Sequence, residues 1–176
     1  IPWDDSDAIE SEIKRCHLEV PNRFSASGSI AWLKMDCCRQ AEAGHWSFFT
    51  LSTEQGRPVG YYILRKNWQV TPLRGRYQGF WRVTLMDYGF SSNGAEHYDL
   101  LVKEIVFRFS ESGADWLDVV SSEEETIRAF RKALLVQVGD GMSFTFVCPK
   151  EWDLPASSGQ IENWHLNHSS GDGFLF

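Results

Sequence analysis

Residues 82–109, RVTLMDYGFSSNGAEHYDLLVKEIVFRF, set an apolar run, a short loop containing Gly94 and a helix-like segment in direct succession. A strand end followed by a loop and a helix N-terminus presents orphan backbone N–H groups and the positive end of a helix dipole, which favour an anion. Ser91, Ser92, Asn93, Gly94 and Ala95 are therefore candidate phosphate-holding positions. The same residue types also make a Ser/Asn-capped turn. Glu96, in the first helical turn, suits the dipole but repels a phosphate. Asp87 is the single acid in WRVTLMDYGF and has two readings. Among apolar neighbours its carboxyl would titrate nearer neutrality and serve as a general base. At a strand end it would instead hydrogen-bond loop N–H groups.

A second group is aromatic and basic. Trp46, Tyr61, Tyr62, Trp68, Tyr77, Phe80 and Trp81 fall around one expected hairpin and the segment after it, with Arg65, Arg74 and Arg76 interleaved. Tyr61 and Tyr62 are neighbours on a strand and point to opposite faces, so one is expected to leave the core. With Arg74 and Arg76, that tyrosine would form an acceptor cleft suited to a sugar ring or an anionic substrate. Other constellations carry less. His165 and His168 fall on opposite faces of a strand, with no third ligand at metal spacing, so no metal site is expected. His97, at a helix start, has two readings, a phosphate contact and, ahead of it, a partly exposed surface residue. Cys16, Cys37, Cys38 and Cys148 match no zinc pattern and read as reduced thiols. Neither a hydrolase nucleophile elbow nor a nucleotide P-loop occurs.

The elements that must position these residues follow from periodicity. Helices are expected over 5–20 and 30–44, then a hairpin of strands 45–53 and 59–66 about an EQGRP turn. Residues 67–80, NWQVTPLRGRYQGF, read as a loop because of their proline, glycines and polar residues. A strand over 81–90 leads into a helix over 95–113, with Tyr98, Leu101, Val102, Ile105 and Phe109 on one face. A short strand over 114–122 precedes a helix over 123–139 with Ser122 as cap and Ile127, Phe130, Leu134 and Val138 facing inward. Strands over 142–150 and 161–170 close the chain. The β–α–β–α–β core requires parallel crossovers and the hairpin adds antiparallel strands. The class expected is therefore α+β, three-layered, with a mixed central sheet and helices on both faces.

Composition sets the outer limits. The chain has 176 residues, enough for one domain, expected over 5–176 with 1–4 as an N-terminal segment. Its start, IPWDD, suggests a piece of a longer chain. A net charge of −7 disfavours a nucleic-acid partner. No apolar run is long enough for a membrane span, and no leader pattern opens the chain, so a cytoplasmic location and no membrane partner are expected.

The element order, with AWLKMDCC before the hairpin, GRPVGYYILRK across it, RVTLMDYGF leading into the 95–112 helix, SGADWLDVVSS and the closing NWHLNHSSGDG, resembles the GCN5-related N-acetyltransferase (GNAT) superfamily. The resemblance implies a GNAT-like domain that uses acyl-CoA or acetyl-CoA as co-substrate and transfers the acyl group to an amine or hydroxyl of a small-molecule acceptor. It also implies that the 82–90 strand splays from its parallel neighbour, so that backbone groups around Leu85, Met86, Asp87 and Tyr88 pair with the pantetheine amides. The pyrophosphate would then sit on the following helix N-terminus. Two positions depart from the family pattern. SSNGAE stands where Gln/Arg-x-x-Gly-x-Gly/Ala is usual, and Phe130 stands where many members place a proton-donating tyrosine. The departures point to an alternative, a GNAT-fold module without catalysis that binds a second domain or a protein partner.

Overall fold

The computed structural model describes residues 24–25, 45–73, 76–91, 95–121, 123–133 and 164–165. The elements are β1 (Phe24–Ser25), β2 (His45–Ser52), β3 (Pro58–Leu73), β4 (Arg76–Phe90), α1 (Ala95–Ser112), β5 (Trp116–Val119), α2 (Glu124–Lys132) and β6 (Trp164–His165). The expected helices over 5–20 and 30–44 and the expected strand over 142–150 lie outside the described residues. So do Arg74, residues 92–94, Ser122, Leu134 and Val138.

One sheet has the order β2-β3-β4-β5, and β1 pairs with β6 in a separate two-stranded parallel sheet. The β2–β3 and β3–β4 pairs are antiparallel and β4–β5 is parallel, which makes the four-stranded sheet mixed. The protein is thus α+β. The parallel pair requires a crossover, and α1 supplies it across 18 residues. The β2–β3 connection closes on itself: Thr53 N–H donates to Arg57 O at 2.9 Å and Gly56 N–H to Thr53 O at 2.8 Å. Gly56 sits at φ +77°, where a side chain would be strained.

The largest departure from the sequence expectation is residues 67–73 and 76–80, which are strand and not loop. β3 and β4 pair without a break from Asn67↔Arg82 out to Leu73↔Arg76, well beyond the ends of β2 and β5. The proline and the glycine that resemble turn residues are accommodated within the strand pair. Pro72 pairs opposite Tyr77, beyond the β2 ladder, where β3 has β4 as its one described neighbour and the missing N–H need not interrupt a central ladder. Gly79 leaves room for the Trp68 indole, which a Cβ there would overlap. Trp68 and Trp81, paired in register, meet edge to face at 5.3 Å.

The core lies on one face of this sheet. Leu51, Tyr62, Leu64, Val83, Leu85, Tyr88 and Phe90 face Leu101, Val102 and Ile105 of α1 and Ala129 and Phe130 of α2. The α1 stripe read from periodicity is the one that packs, with Tyr98 and Phe109 at its margins. On α2 the inward residues are Thr126, Ala129 and Phe130, while Ile127 is half-buried. The cap is Glu123 and not Ser122, and it makes no side-chain bond to the helix backbone. Its carboxylate instead accepts from the Tyr88 and Thr126 hydroxyls. Lys66 donates to the Ser112 carbonyl at the C-terminus of α1, where the helix dipole favours a cation, and lies over the Trp81 ring at 5.0 Å.

Candidate functional site at the end of the parallel ladder

The β4–β5 ladder runs from Arg82↔Trp116 to Leu85↔Val119. β4 continues to Phe90, and α1 begins at Ala95. At the last laddered residue the register against β3 shifts: Leu64 faces Leu85 and Ile63 faces Asp87, so Met86 is an extra, bulged residue. A bulge increases local twist and re-aims the side chains beyond it. Here it changes the parity of β4, so Leu85 and Tyr88 share the core face while Asp87 points to the other.

Asp87 is fully buried. Its Oδ2 accepts from the Tyr61 hydroxyl at 3.1 Å and its Oδ1 from the Tyr88 N–H at 2.9 Å. The carboxylate thus binds the N–H of the next strand residue and not the loop N–H groups of its second sequence reading. Tyr61 and Tyr62 point to opposite faces, Tyr62 into the core cluster and Tyr61 away from it, yet both are buried, at 0% and 1% exposure, so neither opens to solvent. Tyr62 stacks on Phe49 at 4.8 Å and donates to Glu104 Oε2 at 3.3 Å. Burial pushes its hydroxyl up to about 12. The Arg108 guanidinium holds it back, and the Glu104 carboxylate adds to the rise.

Of the cleft expected from Tyr61, Tyr62, Arg74 and Arg76, Arg74 lies outside the described residues, and the tyrosines are not brought to Arg76. Gly89, opposite Tyr61, and Arg76, opposite Leu73, lie at the two ends of the long hairpin. At ~3.3 Å per residue, the 12 positions from Tyr61 to Leu73 span up to about 40 Å. The expectation failed because it required residues 67–80 to fold back as a loop.

The candidate phosphate loop is described only at its margins. Ser91 is buried, and both its N–H and its hydroxyl donate to Val59 O, at 2.9 and 3.1 Å. Its side chain thus ties the end of β4 to the start of β3. Ser92, Asn93 and Gly94 lie outside the described residues, and of Ala95 only the backbone is described. Glu96 is exposed. His97 is 7% exposed against Phe90 and not the surface histidine expected, because the helix start packs onto the strand end. Phe130 lies in the core.

Sequence reasoning missed a buried polar cluster on the core face. The Tyr88 hydroxyl lies 2.6 Å from Ser121 Oγ, 2.8 Å from Thr126 Oγ1 and 2.9 Å from Glu123 Oε2, to which it donates. Thr126 Oγ1 also donates to Glu123 Oε2 at 3.2 Å. Complete burial holds the Tyr88 proton in place far above the ordinary phenol range, despite the opposing hydrogen bonds from Ser121 and Thr126. The signal in the sequence was SSEEET, hydroxyls flanking an acid at a helix start, but nothing local assigned it a partner 33 to 38 residues away.

No protein-family model and no curated protein matches the sequence. Among solved structures, the chain is similar to a tetramutant of the BH1408 protein from Bacillus halodurans, with 13% identity and a TM-score of 0.46 over 80% of this chain and 88% of that one. It is similar to a second mutant of the same protein with 14% identity and a TM-score of 0.44, over 81% and 88%.

Proposed function

We propose that the protein is a GNAT-like acyltransferase that moves an acyl group from acyl-CoA to an amine or hydroxyl acceptor. The observation that carries this reading is the end of the β4–β5 ladder at Leu85↔Val119, with β4 continuing to Phe90 and α1 starting at Ala95. The β5-facing backbone groups of residues 86–90 would pair with the pantetheine amides, and the start of α1 would face the pyrophosphate. The acceptor would attack the thioester carbonyl carbon. The C–S bond would break, and the departing thiolate would take the proton lost by the acceptor. Backbone N–H groups of β4 would hold the developing oxyanion, and positioning would supply much of the rate. The Tyr88 N–H is committed to Asp87, so Asp87 enters this scheme as a positioning residue that fixes the strand and not as the base.

A second reading is favoured by Phe130, a core residue where the family commonly has its acid. It is a module that binds acyl-CoA, or a protein partner, without turnover. Thermal unfolding with millimolar acetyl-CoA and longer acyl-CoAs tests the first step, since a ligand bound only to the native state raises the midpoint by mass action. A rise together with free-thiol release in the presence of amines supports the transferase. A rise without thiol release supports the silent module, and no rise overturns acyl-CoA binding altogether.

A further inference from the structure

On the core face of the four-stranded sheet, α1 ends at Ser112, whose carbonyl accepts from Lys66 at the root of the long hairpin. Beyond Lys66, alternate residues of β3 and their partners on β4 continue the same face: Trp68 opposite Trp81, then Val70 opposite Gly79. Trp68, Val70 and Trp81 are 52%, 50% and 37% exposed. An apolar strip that is contiguous with a core yet open to water marks a contact surface.

The charge along the hairpin selects the occupant. Residues 65–82 contain five of the chain's 17 Lys and Arg and none of its 24 Asp and Glu. Arg76 stands at the far end, paired with Leu73. The root is acidic: Glu111 is exposed beside Ser112, and the exposed Asp115 accepts from the Trp81 N–H. A basic end, an apolar middle and an acidic root thus follow one another along the hairpin. Its reach, from Asn67 to Leu73, is about 23 Å. A two-fold axis across the middle of the strip carries the basic end of one copy onto the acidic root of the other, and the apolar middle onto itself. The second hairpin would lie about 10 Å above the first, in the layer that α1 vacates at Ser112. A chain of net charge −7 repels its own copies, and the stretch without acids is where that repulsion is weakest.

We propose that the hairpins of two copies of this chain pack face to face and antiparallel about this axis. Trp68, Val70 and Trp81 form the centre, and Arg76 of each copy lies against Glu111 of the other. The contact lies at the opposite end of β4 from Phe90 and is independent of the acyl-CoA reading. Two facing ribbons cover less than the about 1,200 Å² of a stable interface, so the dimer is expected to be weak. Sedimentation velocity of the intact protein from about 10 μM to 1 mM tests it, with tryptophan fluorescence recorded alongside. The expected result is a doubling of mass with concentration, a blue shift as Trp68 and Trp81 leave water, and weaker association in high salt. Val70→Lys, at an exposed position, is expected to weaken association at least about tenfold by setting two like charges at the centre. Arg76→Glu and Glu111→Arg are each expected to weaken it and together to restore it, with circular dichroism confirming that every variant is folded. A monomer at every concentration, a dimer indifferent to Val70→Lys, or a double variant no better than either single one overturns the proposal. So does a monomer that binds vesicles of phosphatidylserine and phosphatidylcholine, or a thymidine oligonucleotide, which would assign the hairpin to a lipid surface or to nucleic acid.

Discussion

Asp87 and Tyr88 are adjacent in the chain and bury their polar groups on opposite faces of one strand, Asp87 with Tyr61 and Tyr88 with Glu123, Ser121 and Thr126. Both are legible in sequence as polar groups in an apolar run, but their partners lie 26 to 38 residues away and no local pattern names them. Tyr88→Phe removes one donor from Glu123 Oε2 and leaves a buried acid with reduced solvation. The variant is expected to lose about 1–3 kcal/mol in urea unfolding, consistent with a buried acceptor deprived of a partner. A variant as stable as wild type would mean that the cluster has little energetic weight.

At the scale of elements, the β3–β4 hairpin dominates. Its outer arm, beyond Lys66 and Arg82, is two-stranded and has no described sheet neighbour on either side, so it depends on cross-strand pairs. The Trp68–Trp81 contact across Gly79 is the clearest of these. Gly79→Ala is expected to push the Trp68 ring off its seat, with loss of about 1 kcal/mol and a changed near-ultraviolet circular dichroism signal, as an aromatic pair is lost. An unchanged aromatic signal would show that the pair tolerates the methyl group. The same arm is the reason the expected tyrosine–arginine cleft failed. Glycine and proline mark turns when only local conformation is weighed, whereas here a bulky indole needed the glycine's empty face. The helices were easier to read, because a stripe such as Leu101, Val102 and Ile105 reflects the helical period and needs no knowledge of its partner.

For the whole molecule, alkaline pH reports on the core. Tyr62 and Tyr88 both hold their protons more tightly when folded than a free phenol does, Tyr62 up to about 12. A raised folded-state value means that this contribution is fully present below the unfolded phenol value near 10. It is lost as the pH climbs toward the folded one, because only the unfolded chain ionises readily. Stability is therefore expected to be flat with respect to these groups below about pH 10 and to fall between about pH 10 and 12, with Tyr62→Phe reducing the fall. A flat profile through pH 12 in urea titrations would contradict the burial of both phenols.

The sequence by itself determined the α+β class, the first hairpin, α1 with its buried stripe and the succession of strand and helix across 82–109. Each depends on a period or a turn residue acting within a few positions. Tertiary structure alone decided that residues 67–73 and 76–80 extend as strand and that Met86 bulges just past the last β4–β5 pair. It also decided that both tyrosines are buried and that Trp68 and Val70 share an exposed face of the hairpin. These outcomes depend on which strand lies alongside and in what register, and register is set by packing between distant segments of chain.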